Sequence, residues 1–338
     1  MIEITDSPDI KRWSEFVYNH PKGNVFQTPE MAEVYRRTKN YEPITLAAVD
    51  TETGDVVAVL LAVIIKERGD ILKHFSTRSV IHGGPLFVEG EKGRDATLLL
   101  LREYEQVIKQ KVLFTKVRML HEMPQLSLIF KEVNYEYEDH LNFLADLTIG
   151  VDELWKQLYK SKRQAINKAK RIGVSVEEIE DKKRIPIFYE LVKESYRNSK
   201  TPLADISLFE SVFDVLVPKN MCKFFLAKYK DNYVASTCFL CYRDYIFDWY
   251  GGVDRKFSAC RANELLEWYS LKWSAENGYR VFDFGGAGKP DEPYGPRQFK
   301  KEFGGKLVNY GWWMKVHSPL KMKIAEKGFS IYQKMFFK

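Results

Sequence analysis

Residues 280–305 read RVFDFGGAGKPDEPYGPRQFKKEFGG. An alternating apolar run stops at Gly285-Gly286, a polar loop rich in proline follows, and Arg297, Lys300 and Lys301 then arrive around Phe299 and Phe303. Alternation marks a strand, and a glycine pair at its end marks close backbone approach or a positive φ. The loop lacks the GxGxxG spacing of a dinucleotide site and the GK[ST] of a phosphate-binding loop. The stretch DYIFDWYGG (244–252) has the same form, with Asp248 among aromatics just before Gly251-Gly252, as Asp283 stands before Gly285-Gly286.

Working outward, the same order of elements occurs twice. ITLAAVDTETGDVVAVLLAVII (44–65) and KFFLAKYKDNYVASTCFLCY (223–242) each read as strand, turn, strand. A third strand follows each (GDILKHFST and DYIFDWY), then a glycine pair (Gly83-Gly84 and Gly251-Gly252). Next come a helix (GRDATLLLLREYEQVIKQ and RANELLEWYSLKWSAENG) and one more strand (TKVRML and RVFDFGG). The offset is about 170 residues, which predicts two tandem domains of one mixed α/β fold, 1–148 and 149–338. Helices precede each hairpin: SPDIKRWSEFVYNH and TPEMAEVYRRTKN, capped by Ser7 and Thr28, and DELWKQLYKSKRQAINKAKRIG (152–173), capped by Asp152 and stopped by Gly173, followed by IPIFYELVKESYRNS. In the helix over 152–173, Lys156, Lys160, Arg163 and Lys170 form a basic stripe that is either a solvated face or a phosphate contact, with Lys162 adding charge beside Arg163.

Composition bounds the function. The chain has 338 residues, 45% hydrophobic and 14% aromatic, enough for two cores. The start, MIEITDSPDIKRW, has no apolar signal-peptide core, and VVAVLLAVII (56–65) is too short to span a bilayer. Cys222, Cys238, Cys241 and Cys260 make no disulfide framework, so a reducing cytoplasm is expected. Cys238 and Cys241 read as small core residues of a strand, and the six histidines show no paired metal spacing, so no metal is expected. No GxSxG elbow occurs. The net charge of +6 permits an anionic partner without requiring one.

Four stretches resemble the FemAB/FemX family of aminoacyl-tRNA-dependent transferases and its acetyltransferase-like relatives: VFQTPEMAEVY, HGGP (82–85), DELWKQLYKSKRQAINKAKRIGVSV, and GYRVFDFGG followed by FKKEFGG. The resemblance spans nearly the whole chain, and the long helical hairpin that some members insert finds no match. It implies an α/β fold of two tandem acetyltransferase-like (GNAT) domains with mixed sheets, a cleft between them, and acyl transfer to an amine of a cell-wall precursor or other peptide. It implies no bound cofactor: the donor, aminoacyl-tRNA or acyl-CoA, is a co-substrate.

Residue chemistry agrees. In such a domain the two central parallel strands splay, and here they are YIFDWYGG and RVFDFGG, so Asp248 and Asp283 are candidates to take or hold the proton of an incoming amine. A fixed cation beside the developing oxyanion stabilises the transition state, which suits Lys300, the lysine the resemblance also points to, with Phe299 excluding water. Arg297 has the planar fork that anchors a carboxylate or phosphate. Tyr294, Tyr250, Asn263, Lys162 and Arg163 complete the candidate substrate contacts. His82, ahead of Gly83-Gly84, reads as structural or cleft-lining.

Neither candidate strand is followed by the Arg/Gln-x-x-Gly-x-Gly/Ala loop that cradles the pyrophosphate of acetyl-CoA, which favours an aminoacyl-tRNA donor. An acyl-CoA-dependent transferase acting on an amino sugar or polyamine is the alternative, and a non-catalytic binding module of the same fold is the third reading. The C-terminal HSPLKMKIAEKGFSIYQKMFFK carries five lysines and an aromatic tip; it reads as a closing helix or as a basic anchor for peripheral contact at the inner membrane face, near a lipid-linked acceptor.

Overall fold

The computed structural model describes residues 1–66, 77–199 and 201–323. Most of the expected strand GDILKHFST and the C-terminal helix from residue 324 lie outside the described residues. Two compact units emerge: Met1–Asp139 joined by the segment from Tyr310, and His140–Asn309.

The first unit contains β1 (Ile2–Thr5), α1 (Ile10–Asn19), α2 (Pro29–Arg37), β2 (Tyr41–Asp50), β3 (Val56–Ile65), β4 (Arg78–His82), β5 (Leu86–Phe87), α3 (Glu91–Ile108), β6 (Phe114–Arg118), α4 (Pro124–Glu132) and β7 (Glu136–Glu138). Its sheet runs β1-β2-β3-β4-β6, then the strand Trp312–Val316, then β7, with β5 beside β3. The apolar run 56–65 is β3, buried along nearly its whole length at the centre of this sheet. Thr28 caps α2 as expected, whereas α1 is capped by Asp9, not Ser7. VFQTPEMAEVY has a structural task here: Asn24 and Gln27 form a capping box, and Gln27 Nε2 donates to the Gly84 carbonyl at 2.7 Å.

The second unit contains β8 (Leu141–Asp146), α5 (Val151–Gln157), α6 (Lys160–Arg171), β9 (Ser175–Glu178), α7 (Ile185–Asn198), α8 (Ile206–Val215), β10 (Cys222–Tyr229), β11 (Asn232–Tyr242), β12 (Tyr245–Val253), α9 (Ala262–Glu276), β13 (Val281–Gly286), α10 (Gly295–Lys301) and β14 (Lys306–Asn309). Its sheet runs β9-β10-β11-β12-β13-β8-β14. Position by position the two sheets correspond, and each has one parallel pair, β4 with β6 and β12 with β13.

The repeat carries an exchange. β8 follows β7 in the chain yet joins the second sheet, and Trp312–Val316 follows β14 yet joins the first. The division expected at 148/149 therefore moves to 139/140, and the described segment 310–323 belongs to the first unit. Strand pairing decides this: Trp312–Val316 lies antiparallel between β6 and β7, with Trp313 buried in the first core.

The single helix expected over 152–173 is instead two, α5 and α6, separated at Leu158 and Tyr159, which are extended. Gly150, not Asp152, stands at the first N-terminus. The break is held by Arg163, whose Nη1 donates to the carbonyls of Lys156 and Leu158, each at 2.8 Å, and of Trp155 at 3.4 Å. These are carbonyls that a helix end leaves without partners.

Candidate active site

β12 and β13 pair only from Tyr245↔Val281 to Phe247↔Asp283, then part. Both strands carry an irregularity at that point. Against β11, Phe239 faces Asp248 and Cys238 faces Tyr250, so Trp249 is an extra residue; against β8, Asp283 faces Leu144 and Gly286 faces Asn142. Such bulges bend a strand and re-aim its side chains. Gly285 takes φ +72°, and a Cβ there would stand 3.2 Å from the Asp248 carbonyl oxygen. Gly252 serves packing: a Cβ would strike the Leu191 carbonyl of α7.

Asp283 is fully buried and accepts hydrogen bonds from the Tyr245 hydroxyl at 2.8 Å, the Gly285 amide at 2.7 Å and the Asn142 amide at 3.1 Å. Burial raises its carboxyl above the usual range, opposed by these donors and Lys300. Three donors leave it little capacity for substrate, so Asp283 is a residue that positions Gly285 rather than one that touches the reacting atoms. Asp248 is half-buried, with the Thr237 hydroxyl at 3.2 Å. Burial pushes its carboxyl up to about 6, with Lys300 and Thr237 pulling it down and Asp283 pushing it further up. Such a group is ionised at neutral pH and still basic enough to take a proton.

Lys300, on α10, donates from Nζ to the Gly286 carbonyl at 2.8 Å, which places the ammonium at the parting of the strands; a Cβ on Gly285 would be 3.8 Å from it. Burial lowers its affinity for a proton, and Asp248, Asp283 and Glu267 raise it. Glu267, on α9, was not among the sequence candidates. Its Oε1 is sealed from solvent and has no hydrogen-bond partner among the described residues. Burial, then the charge of Asp248, holds this carboxyl well above the usual range, against Lys300 and Lys162. The sequence signal was faint: Glu267 is one of three acids in ANELLEWYSLKWSAE, and nothing in the letters sets it apart from Glu264 or Glu276.

The remaining candidates have other work. Arg297 spends its guanidinium on loop carbonyls, Nε to Ala287 at 2.8 Å, Nη1 to Pro290 at 3.0 Å and Nη2 to Lys289, so it holds the 287–290 loop instead of presenting an open fork. Lys162 is buried, pairs with Glu302 at 3.2 Å and lies 4.0 Å over the Phe299 ring. Phe299 and Phe303 meet with tilted rings, centroids 5.1 Å apart, and both belong to the second core or pack against it. Arg163 is the helix cap described above. Lys156 pairs with Glu153 and Lys170 lies over Trp155, and both remain exposed, as Lys160 does. Tyr250 packs edge-on to Phe209 at 4.9 Å, Tyr294 is exposed against Gly288, and Asn263 lies half-buried in the first turn of α9. In the first unit, His82 stacks on Phe26 at 4.5 Å. Cys238 and Cys241 are buried in β11.

A cavity of about 400 Å³ lies at the start of α9, between Lys162, Lys168, Arg261, Glu264 and Glu302. A larger one, about 800 Å³, belongs to the first unit and touches none of the sequence candidates. The chemistry of Asp248, Lys300 and Glu267 outweighs size, so the site is placed at the parted strands.

Residues 156–301 match the family described as an acetyltransferase (GNAT) domain. FemX, as a solved structure, aligns over 96% of this chain and 100% of its own with a TM-score of 0.70 at 18% identity. A tandem GNAT protein from the clavulanic acid biosynthesis pathway aligns over 94% and 99% with a TM-score of 0.60 at 12% identity. L-PGS from Bacillus licheniformis aligns over 96% and 98% with a TM-score of 0.58 at 13% identity. No curated protein matches the chain significantly in sequence. The chain thus has two tandem acetyltransferase-like (GNAT) domains. Its architecture is the FemX-like form of that fold, and the domain match supports an acyltransferase-type function.

Proposed function

We propose that the protein is an N-acyltransferase of the FemAB/FemX kind, moving an amino acid from aminoacyl-tRNA to an amine of a cell-wall precursor or other peptide. The observation that carries this reading is the ammonium of Lys300 fixed at the parting of β12 and β13, with the half-buried carboxylate of Asp248 close enough to feel its charge. The amine nitrogen attacks the acyl carbonyl carbon, and the carbonyl oxygen gains negative charge facing Lys300 Nζ. Asp248 takes the nitrogen's proton. Collapse of the tetrahedral intermediate expels the donor's ribose oxygen, which takes up a proton to leave as the hydroxyl while Asp248 gives one back, and the new amide remains. Lys300 acts because its attraction to the oxygen grows as charge develops.

The GNAT domain match favours acyl-CoA as a second donor reading. Among the described residues no helix is long and apolar enough to cross a membrane. A lipid-linked acceptor at the inner membrane face would reach the enzyme by peripheral contact. Incubating the protein with labelled aminoacyl-tRNA or labelled acyl-CoA, and with lysine peptides, amino sugars or polyamines, tests the proposal. Label passing from aminoacyl-tRNA to a peptide amine is the expected result; transfer from acyl-CoA alone selects the second reading, and no transfer from either overturns both.

A further inference from the structure

A buried carboxyl oxygen without a donor is an open position in an otherwise satisfied interior. Glu267 Oε1 is such an atom, and the charges facing its carboxyl are Asp248 on β12, Lys300 on α10 and Lys162 on α6. Lys162 Nζ pairs with Glu302 and Lys300 Nζ donates to Gly286, and neither reaches Glu267 Oε1 within hydrogen-bond distance. Asp283 adds a third carboxyl around the same Lys300, which leaves the group richer in acids than in cations.

We propose that Glu267 is a substrate-binding residue whose Oε1 accepts a hydrogen bond from a primary ammonium group of the substrate, bound beside Lys300. This deepens the acyl-transfer reading and rests on it for the identity of the site. Two sources share that chemistry, the α-ammonium of an aminoacyl donor and the side-chain ammonium of the acceptor. An acyl group from acyl-CoA has no α-ammonium, so in the first case the residue would also set donor class. Burial shifts the empty Glu267 toward its protonated form and an arriving ammonium shifts it back: any Glu267–COOH that meets R–NH3⁺ becomes Glu267–COO⁻ paired with R–NH3⁺, its proton going to solvent.

Calorimetry on the full chain at pH 7.5, in two buffers of different ionisation enthalpy, reads affinity and proton release together. The donor arm compares 3′-alanylamido-3′-deoxyadenosine with its 3′-propionylamido counterpart; the acceptor arm compares Nα-acetyl-lysine methyl ester with the norleucine ester. In one arm the ammonium-bearing probe is expected to bind about ten- to a hundredfold tighter and to release protons that its uncharged counterpart does not. Glu267→Gln should abolish both the preference and the release in that arm. The arm affected names the source. Equal binding of charged and uncharged probes by the wild type in both arms, or a preference that survives in Glu267→Gln, overturns the proposal; the first needs no variant to fold. Failure to transfer any acyl group, with the Glu267-dependent preference intact, sinks the acyl-transfer reading alone.

Discussion

The ammonium of Lys300 donates to the carbonyl of Gly286 at 2.8 Å, so the cation of α10 and the end of β13 form one unit. Replacing Lys300 with Met keeps the apolar stem and removes the charge. Turnover should fall by roughly two to three orders of magnitude, the loss typical of one oxyanion donor. Steady-state kinetics beside a thermal melt checks this: a near-wild-type rate in a folded Lys300→Met would remove the role.

Asp248 links activity and stability to pH. Its folded value of about 6 lies above the ordinary 3.8, so the fold disfavours its ionised form. Its contribution to stability is complete below about pH 4 and lost as pH rises through about 6. Asp248→Asn should therefore match wild type at pH 4 and exceed it by about 1–3 kcal/mol above pH 7, while losing turnover. Urea titrations at the two pH values measure the difference. The wild-type rate should rise with pH through about 6; a flat profile there would argue against Asp248 as the base.

Asp283 should behave oppositely. Asp283→Ala strands the Gly285 amide, the Tyr245 hydroxyl and the Asn142 amide in the interior, at a cost of about 3–5 kcal/mol. Denaturant unfolding of this variant, set against Asp248→Asn, separates a carboxylate that builds the site from one that works in it.

Gly285→Ala meets a positive φ and a contact of 3.2 Å with the Asp248 carbonyl. Strain of about 1–3 kcal/mol is expected, relieved by moving β12 from β13. The expected kinetic mark is a lower kcat with a melting shift much smaller than that of Asp283→Ala. Wild-type turnover would show that the parting of the strands tolerates change.

The exchanged strand predicts how truncations behave. A chain ending at Asn309 loses Trp312–Val316, and with it the partner of β6 and β7 and the buried Trp313. The amides of β6 and β7 should then lose hydrogen-exchange protection, while a chain ending at Pro319 keeps it. Equal protection in the two truncations would mean that the strand is dispensable.

Much was legible because it depends on neighbours in the chain. The alternation in 44–65 and 223–242, the glycine pairs after Asp248 and Asp283, and the helix over 262–276 were all readable, and the repeated order of these elements indicated two copies of one fold. Tertiary structure decided what depends on distant partners. Local pattern runs straight through Leu158 and Tyr159, yet Arg163 reaches back and ends a helix there. Arg297 looks like an open fork until three carbonyls of its own loop fill it. Trp312–Val316 has the pattern of a strand but no mark of which sheet will take it. Asp248, Asp283 and Glu267 are all simply acids in the sequence; the donors and charges around each come from β8, β11, β12, α6 and α10, and those sort them into three roles. Periodicity is a property of adjacent residues, whereas desolvation and charge pairing are set by separate segments, as far apart in the chain as Asn142 and Asp283, and these decide which charges can do chemistry.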